Sequence, residues 1–160
     1  MHERAAEFLD QAVDRYGFEP PVHEFPEGTK TAADAADAIG CETAQIASSL
    51  AFDVDGELIV VVASGASRVS EDRLAARFET TPDAVSMADP DRISDTLGWT
   101  IGGVPPICHE TTVPTLFDRS LSEFETVWAA AGTPSAVFPI APDRLCDLAD
   151  AEAIEVATAD

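Results

Sequence analysis

From His2 to about Tyr16, apolar residues at Ala5, Phe8, Leu9, Ala12, Val13 and Tyr16 recur at helical spacing, which predicts an amphipathic helix ended by Gly17. Val22 to Phe25 is short and extended and runs into the turn residues Pro26-Glu27-Gly28. Thr31 then stands where a side-chain cap opens a helix through Ala35, Ala36, Ala38 and Ile39, with Gly40 closing it. Two apolar runs, Ile46 to Phe52 and Leu58 to Ala63, flank Asp53-Val54-Asp55-Gly56, and the Asp-Gly step favours a tight reversal, so they read as an antiparallel hairpin. Three consecutive valines, Val60, Val61 and Val62, put the second strand inside on both faces. A helix is expected from about Ser70 to Phe78, then a loop through Pro82, then a helix opening at Asp89-Pro90 with proline at its first position and stopping at Gly98. The tract Gly102-Gly103-Val104-Pro105-Pro106 cannot be regular helix and predicts a rigid loop. Thr115 to Asp118 reads as a strand. Ser122-Glu123-Phe124-Glu125 reads as a capping box that starts a helix through Val127, Trp128 and Ala131 to Gly132. A strand at Val137 to Ile140, a short helix after Pro142 and a strand at Ile154 to Ala157 complete the pattern.

Helices of unequal length mixed with a hairpin and further strands argue for an α+β fold with a mixed sheet. No G-x-G-x-x-G opens a helix after a strand, which removes the usual dinucleotide signature. At 160 residues one domain is expected. No apolar run approaches the roughly 18 residues of a membrane span. The first residues, Met1-His2-Glu3-Arg4-Ala5-Ala6-Glu7, carry no secretory signal pattern, so a cytoplasmic protein without a membrane partner is expected.

Charge changes the picture next. Thirty Asp and Glu against nine Lys and Arg give a net charge of −21, and Lys30 is the single lysine. The acids are spread along the chain, as a solvated surface adapted to high salt would have them, where self-repulsion is screened. Such a surface opposes ordinary phosphate binding, so no DNA partner is expected, and an RNA partner has to be held by shape, stacking and backbone amides. Cys41, Cys108 and Cys146 make an odd count without C-x-x-C spacing. With only His2, His23 and His109 beside them, neither a disulfide framework, a metal site nor a cofactor is expected.

Several segments in one order carry a resemblance: Thr31-Ala32-Ala33 through Ile39-Gly40, Gln45-Ile46 with Ser49-Leu50, Val61-Val62-Ala63-Ser64-Gly65, Gly102 to Pro106, and Phe117-Asp118-Arg119-Ser120-Leu121 followed by Ala130-Ala131-Gly132-Thr133. Together the chain resembles the YbaK and prolyl-tRNA synthetase editing-domain family over nearly its whole length. The resemblance implies a barrel-like mixed sheet flanked by helices. It also implies a deacylase that clears a small amino acid such as alanine, cysteine or serine from mischarged tRNA. The implied partners are the aminoacyl-tRNA 3′ end and a synthetase, and with no room for a synthetase body the domain is expected to act alone, in trans.

Ester hydrolysis needs water to attack the carbonyl and a donor for the oxyanion, and amides beside glycine can approach without a side chain in the way. Gly102 and Gly103 are the candidates for that role. By resemblance Asp118 lies near the substrate ammonium, Ser64 and Gly65 line the pocket after a buried strand, and His23 falls at a pocket-lining strand position. Pro105 joins the substrate side from the glycine loop. The family pattern has a lysine where this chain has Ser48, and strand alternation allows only one of Ser48 and Ser49 to face a pocket. Lys30 reaches the site only if its loop folds over the sheet. His109 is a candidate base or ribose ligand, against a plain loop histidine. Cys108 reads as a buried thiol before a nucleophile. A serine hydrolase using Ser48 or Ser64 lacks a G-x-S-x-G elbow. Two readings follow: a deacylase that works without the lysine, or a non-catalytic relative that keeps the pocket to bind an aminoacyl group, a nucleotide or a synthetase.

Overall fold

The computed structural model describes residues 3–25 and 31–157. Helix α1 (Glu3–Tyr16) buries Ala5, Phe8 and Ala12 along one stripe and ends at Gly17, whose φ is +63°. After the two-residue strand β1 (His23–Glu24), Thr31 Oγ1 accepts the Asp34 amide at 3.1 Å and caps α2 (Ala32–Ile39), and Gly40 closes it at φ +87°. The expected turn at Pro26-Glu27-Gly28 and the position of Lys30 lie outside the described residues.

The hairpin is formed by β2 (Ile46–Val54) and β3 (Glu57–Ser64), with Asp55 at φ +52° and Gly56 at φ +89° in the turn. These are the two positive angles that a two-residue reversal of this type demands. All three central valines of β3 are fully buried, between two cores. One core sits under α1, α4 (Pro90–Leu97) and α5 (Pro142–Leu148); the other sits under α3 (Glu71–Arg77).

Five further strands complete the sheet: β4 (Val85–Met87), β5 (Thr115–Asp118), β6 (Val127–Ala130), β7 (Ala136–Ile140) and β8 (Glu152–Ile154). The strand order is β1-β7-β6-β2-β3-β5-β8, and β4 pairs with β2 beside that path. Pairing is antiparallel at β1/β7, β7/β6, β2/β3 and β2/β4, and parallel at β6/β2, β3/β5 and β5/β8. This is the expected α+β arrangement, a mixed sheet flanked by helices. It is not closed, since β1 and β8 stand at opposite ends without pairing to each other among the described residues.

Two sequence expectations fail. The helix expected from Ser122 to Gly132 is instead a 3-10 turn at Arg119–Glu123 followed by strand β6. Val127, Ala129 and Ala131 are buried while Trp128 and Ala130 are half-buried, so the true period is two. Apolar residues at 124, 127, 128 and 131 satisfy the helical spacing too, and partners at both edges decide: Trp128 and Ala129 pair with Ile46 and Ala47, and four residues pair with β7. The segment after Pro82, expected as loop, contributes β4, a strand too short to show alternation.

Candidate active site

Strand β2 pairs with β3 along its length, but its other edge is shared. Its first residues, Ile46 and Ala47, lie against β6, and Phe52 to Val54 lie against β4. Among the described residues, Ser48, Ser49 and Leu50 therefore have β3 on one side and no strand on the other. Into this fork opens a cleft of about 430 Å³, within the roughly 300–1,000 Å³ range of small-molecule sites. Its walls come from α2 (Thr31, Ala32, Ala35), β2 from Ile46 to Ala51, Met87 and Ile93 on the β4 side, and Trp128, Ala130 and Val137 on the β6 side. Ile101, Gly102, Val104 and Pro134 close the remaining wall. No charged side chain among the described residues lines it, and the surroundings are mostly aliphatic and aromatic. Because the cleft wraps around a strand edge, Ser48 and Ser49 both line it although they belong to opposite faces of the sheet.

The wall that carries Gly102 is a stiff loop. Its ends are tied where the Glu110 amide donates to Leu97 O at 2.9 Å and the Thr111 amide to Thr96 O at 3.0 Å. Trp99, only 2% exposed, donates its Nε1–H to Cys108 O at 2.9 Å, and the Arg4 guanidinium lies 4.3 Å over its ring. Gly103 is a packing glycine: a Cβ there would lie 2.7 Å from Thr133 Cα. Its own amide donates to Thr100 O at 3.0 Å and is thereby occupied. Gly102 holds φ +92°, is exposed to the cleft, and its amide has no partner among the described residues.

Of the sequence candidates, the structure brings Ser48 and Gly102 to the cleft. The other candidates among the described residues are not cleft-lining residues. Asp118 is 1% exposed, and its carboxylate accepts from the Ser64 amide at 3.0 Å, the Ser120 amide at 2.9 Å and the Ser120 hydroxyl at 2.7 Å, so it knots β3 to β5 and the 3-10 turn. Ser64 gives its hydroxyl to Ala44 O at 2.8 Å. Gly65 allows close approach, since a Cβ there would lie 2.7 Å from both Ala32 Cβ and Thr43 O. Pro105 and His109 lie in the loop interior, where His109 Nε2 is 2.8 Å from Pro105 O and the ring serves as a donor to that carbonyl. Burial holds the His109 pKa below its ordinary value, so the neutral ring is favoured, and Arg15 donates to the His109 carbonyl at 3.0 Å. Cys108 beside it is buried, and burial pushes its thiol up to about 12, which leaves it protonated and inert. His23 is exposed on β1 and meets the edge of the Trp128 ring, a cleft wall, with centroids 5.1 Å apart. Lys30 lies outside the described residues, immediately before the cleft residue Thr31. Among the described residues no group of three His, Cys, Asp or Glu side chains converges to hold a metal.

Sequence reasoning missed Trp128 and Ala130 as cleft walls because the β6 segment was read as a helix; it placed Val137 on a strand without tying it to a site, and it weighed Ser49 only as the alternative to Ser48, whereas the Ser49 hydroxyl is buried with no hydrogen-bond partner. A polar pair inside an otherwise apolar strand was the available signal for the latter.

Comparison with known proteins adds to this geometry. The model of the aminoacyl-tRNA editing domain matches residues 26–148. An uncharacterised protein of Bacillus subtilis (strain 168), YwhH, is 30% identical over 132 residues, covering 81% of each chain. The proline–tRNA ligase of Lysinibacillus sphaericus is 28% identical over 102 residues, which are 64% of this chain but 18% of the ligase. A crystal structure described as a candidate trans-editing enzyme for prolyl-tRNA synthetase superposes with a TM-score of 0.91 at 31% identity, over 99% of both chains.

Proposed function

The chain belongs to the aminoacyl-tRNA editing domain family, and from that premise we propose that it hydrolyses the ester of mischarged aminoacyl-tRNA in trans, acting on a small amino acid such as alanine, cysteine or serine. The observation that carries the reading is the cleft itself: a concave site, without a charged lining side chain among the described residues, that joins the Gly102 loop to the open edge of β2 at Ser48. The full-length likeness to a candidate trans-editing enzyme supports it. Water attacks the ester carbonyl, the carbonyl–oxygen bond breaks, and the ribose hydroxyl leaves with a proton. In this reading the Gly102 amide, which has no partner among the described residues, takes the developing oxyanion, a role worth about 2.7–4 kcal/mol per donor in comparable sites. Gly103, with its amide committed to Thr100 O, serves by holding the loop. Ser48 occupies the position of the lysine expected from the family pattern and offers a hydroxyl in place of a cation, so the substrate's own ribose hydroxyl carries more of the positioning.

One observation favours a second reading. With no lysine at Ser48 and no charged lining residue among those described, the domain could instead bind an aminoacyl group, a nucleotide or a synthetase without hydrolysis. A deacylation assay in about 2 M KCl with Ala-, Cys- and Ser-tRNA separates the two. Hydrolysis of one substrate by wild type, lost in Gly102→Val, supports the enzyme. Silence of wild type on all three, with activity gained in Ser48→Lys, establishes the binding module.

A further inference from the structure

The register of the hairpin fixes where each main-chain group of β2 points. The Gly65 amide donates to Ile46 O at 2.7 Å, so Ile46 faces β3, and by alternation Ser48 and Leu50 do so too. The Ala88 amide donates to Ala51 O at 3.0 Å, so Ala51 faces the β4 side, as the opposite alternation requires. Ser49 therefore turns both its N–H and its C=O away from β3 and into the fork. The β6 ladder stops at Ala47 and the β4 ladder begins at Phe52, so neither strand reaches it. Its side-chain hydroxyl is buried without a partner as well. Among the described residues Ser49 thus brings two unpaired main-chain groups to the wall of a cleft whose lining is otherwise mostly apolar, beside its buried hydroxyl. Unpaired main-chain groups on a sheet edge are the standing template for pairing with another peptide-like group.

We infer that Ser49 is the subsite for the aminoacyl moiety, which adds to the edge of β2 as a strand of one residue. This deepens the editing reading and rests on it for the identity of the ligand. The substrate ammonium donates to Ser49 C=O, and Ser49 N–H donates to the substrate carbonyl oxygen, the reciprocal exchange of an antiparallel pair. The arrangement answers a question the cleft raises, namely how a site without a described carboxylate holds an ammonium group. It also sets the carbonyl between Ser49 N–H and the loop of Gly102, both of which line the cleft.

The probes are 3′-alanylamido-3′-deoxyadenosine, a non-hydrolysable aminoacyl mimic, and 3′-propionylamido-3′-deoxyadenosine, which lacks the amine. In about 2 M KCl the wild-type protein should bind the first about tenfold more tightly than the second, the ratio one such hydrogen bond supports. Ser49→Pro removes the inferred donor while leaving the β2/β3 ladder intact, and proline is tolerated where a strand N–H faces away from its neighbour. It should weaken the alanyl mimic about tenfold. Should that variant fail to fold, hydrogen exchange on wild type decides: the Ser49 amide should exchange at least about tenfold more slowly when the alanyl mimic is bound. Equal binding of the two mimics, or a Ser49 amide indifferent to the ligand, overturns the subsite. Deacylation of tRNA by a protein whose Ser49 amide stays indifferent leaves editing standing and removes only this inference. Protection of the amide in a protein that deacylates nothing keeps the subsite and removes the editing reading.

Discussion

In Gly103→Ala the new methyl carbon would lie 2.7 Å from Thr133 Cα, 2.9 Å from the Thr133 carbonyl carbon and 3.0 Å from Pro134 Cδ. The two nearest atoms are main chain, so no side-chain rotation relieves the contact. Nor can the Thr133 segment retreat. Gly132, one residue before it, is itself wedged so that a Cβ there would meet Arg4 O and Trp99 Cζ3 at 2.7 Å, and Thr133 is 6% exposed. Overpacking of this kind costs about 1–3 kcal/mol, and for a chain of this size each kcal/mol moves the midpoint by about 2–4 °C. Thermal unfolding of Gly103→Ala in about 2 M KCl should therefore show a fall of about 2–12 °C. The loop that presents Gly102 must shift to accommodate the methyl, so deacylation per folded molecule should fall as well. Gly102→Ala is the comparison: its Cβ meets nothing nearer than Pro134 Cγ at 3.5 Å, and its loss is limited to the strain of φ +92°, about 1–2 kcal/mol. A Gly103→Ala protein that melts within about 1 °C of wild type would refute the argument that this glycine exists for close packing.

His109 has a folded pKa below its ordinary value because burial disfavours the imidazolium. The stability this contributes is fully present above about pH 6.5 and is lost as pH falls from there towards the folded value. Melting temperature should drop between about pH 7.5 and 5.5, and less steeply in His109→Gln, which keeps a donor for Pro105 O; parallel profiles would exclude His109 as the titrating group. Ser49→Ala removes a buried hydroxyl that has no partner in the free protein, so by differential scanning fluorimetry it should melt at the same temperature or up to about 4 °C higher. A fall of several degrees would mean the hydroxyl is structurally engaged. With a net charge of −21, the melting temperature should climb from about 0.1 to 2 M KCl as the Debye length shrinks from about 10 Å to under 3 Å; a flat or falling profile would remove the salt-adapted reading of the surface.

How far the sequence carried is clearest residue by residue. Caps and turns were legible because their chemistry is local: Thr31, Ser70 and Asp89 each accept an amide at a helix start, Gly40 and Gly98 close helices in left-handed geometry, and Asp55-Gly56 makes the reversal. Val127 to Ala131 was not legible, because its apolar positions fit two periods and the choice between them was made by β2 and β7, which come from elsewhere in the chain. The candidate site divides in the same way. Gly102 and Ser48 stood out as local oddities, a glycine in a rigid tract and a serine where a lysine was expected. Asp118, Ser64 and His109 also looked chemical, yet their polar atoms are used up on partners distant in sequence or inside their own loop. The Ser48-Ser49 pair was legible as polar residues in an apolar strand, but the open main chain of Ser49 was not, since it arises from two ladders that stop short on the same edge.

That shared edge also explains how an editing cleft could dispense with the family's lysine in a chain this acidic. A lysine acts on phosphate or ester oxygen through a Coulomb term that weakens with ionic strength, and at about 1 M salt charges beyond roughly 3 Å of solvent are largely screened. The hydrogen bonds proposed from Ser49 N–H and Gly102 N–H, within a mostly apolar cleft, would keep their strength because no mobile ion enters between donor and acceptor. The acidic exterior would further tax a lysine by repelling the RNA it was meant to hold until salt intervenes, and salt then blunts the lysine too. Main-chain donors escape both penalties. On this argument Ser48→Lys should help most at low salt, where the cation is unscreened. If the substitution instead raised turnover equally at about 0.2 and 2 M KCl, screening would not be the reason a serine is tolerated there.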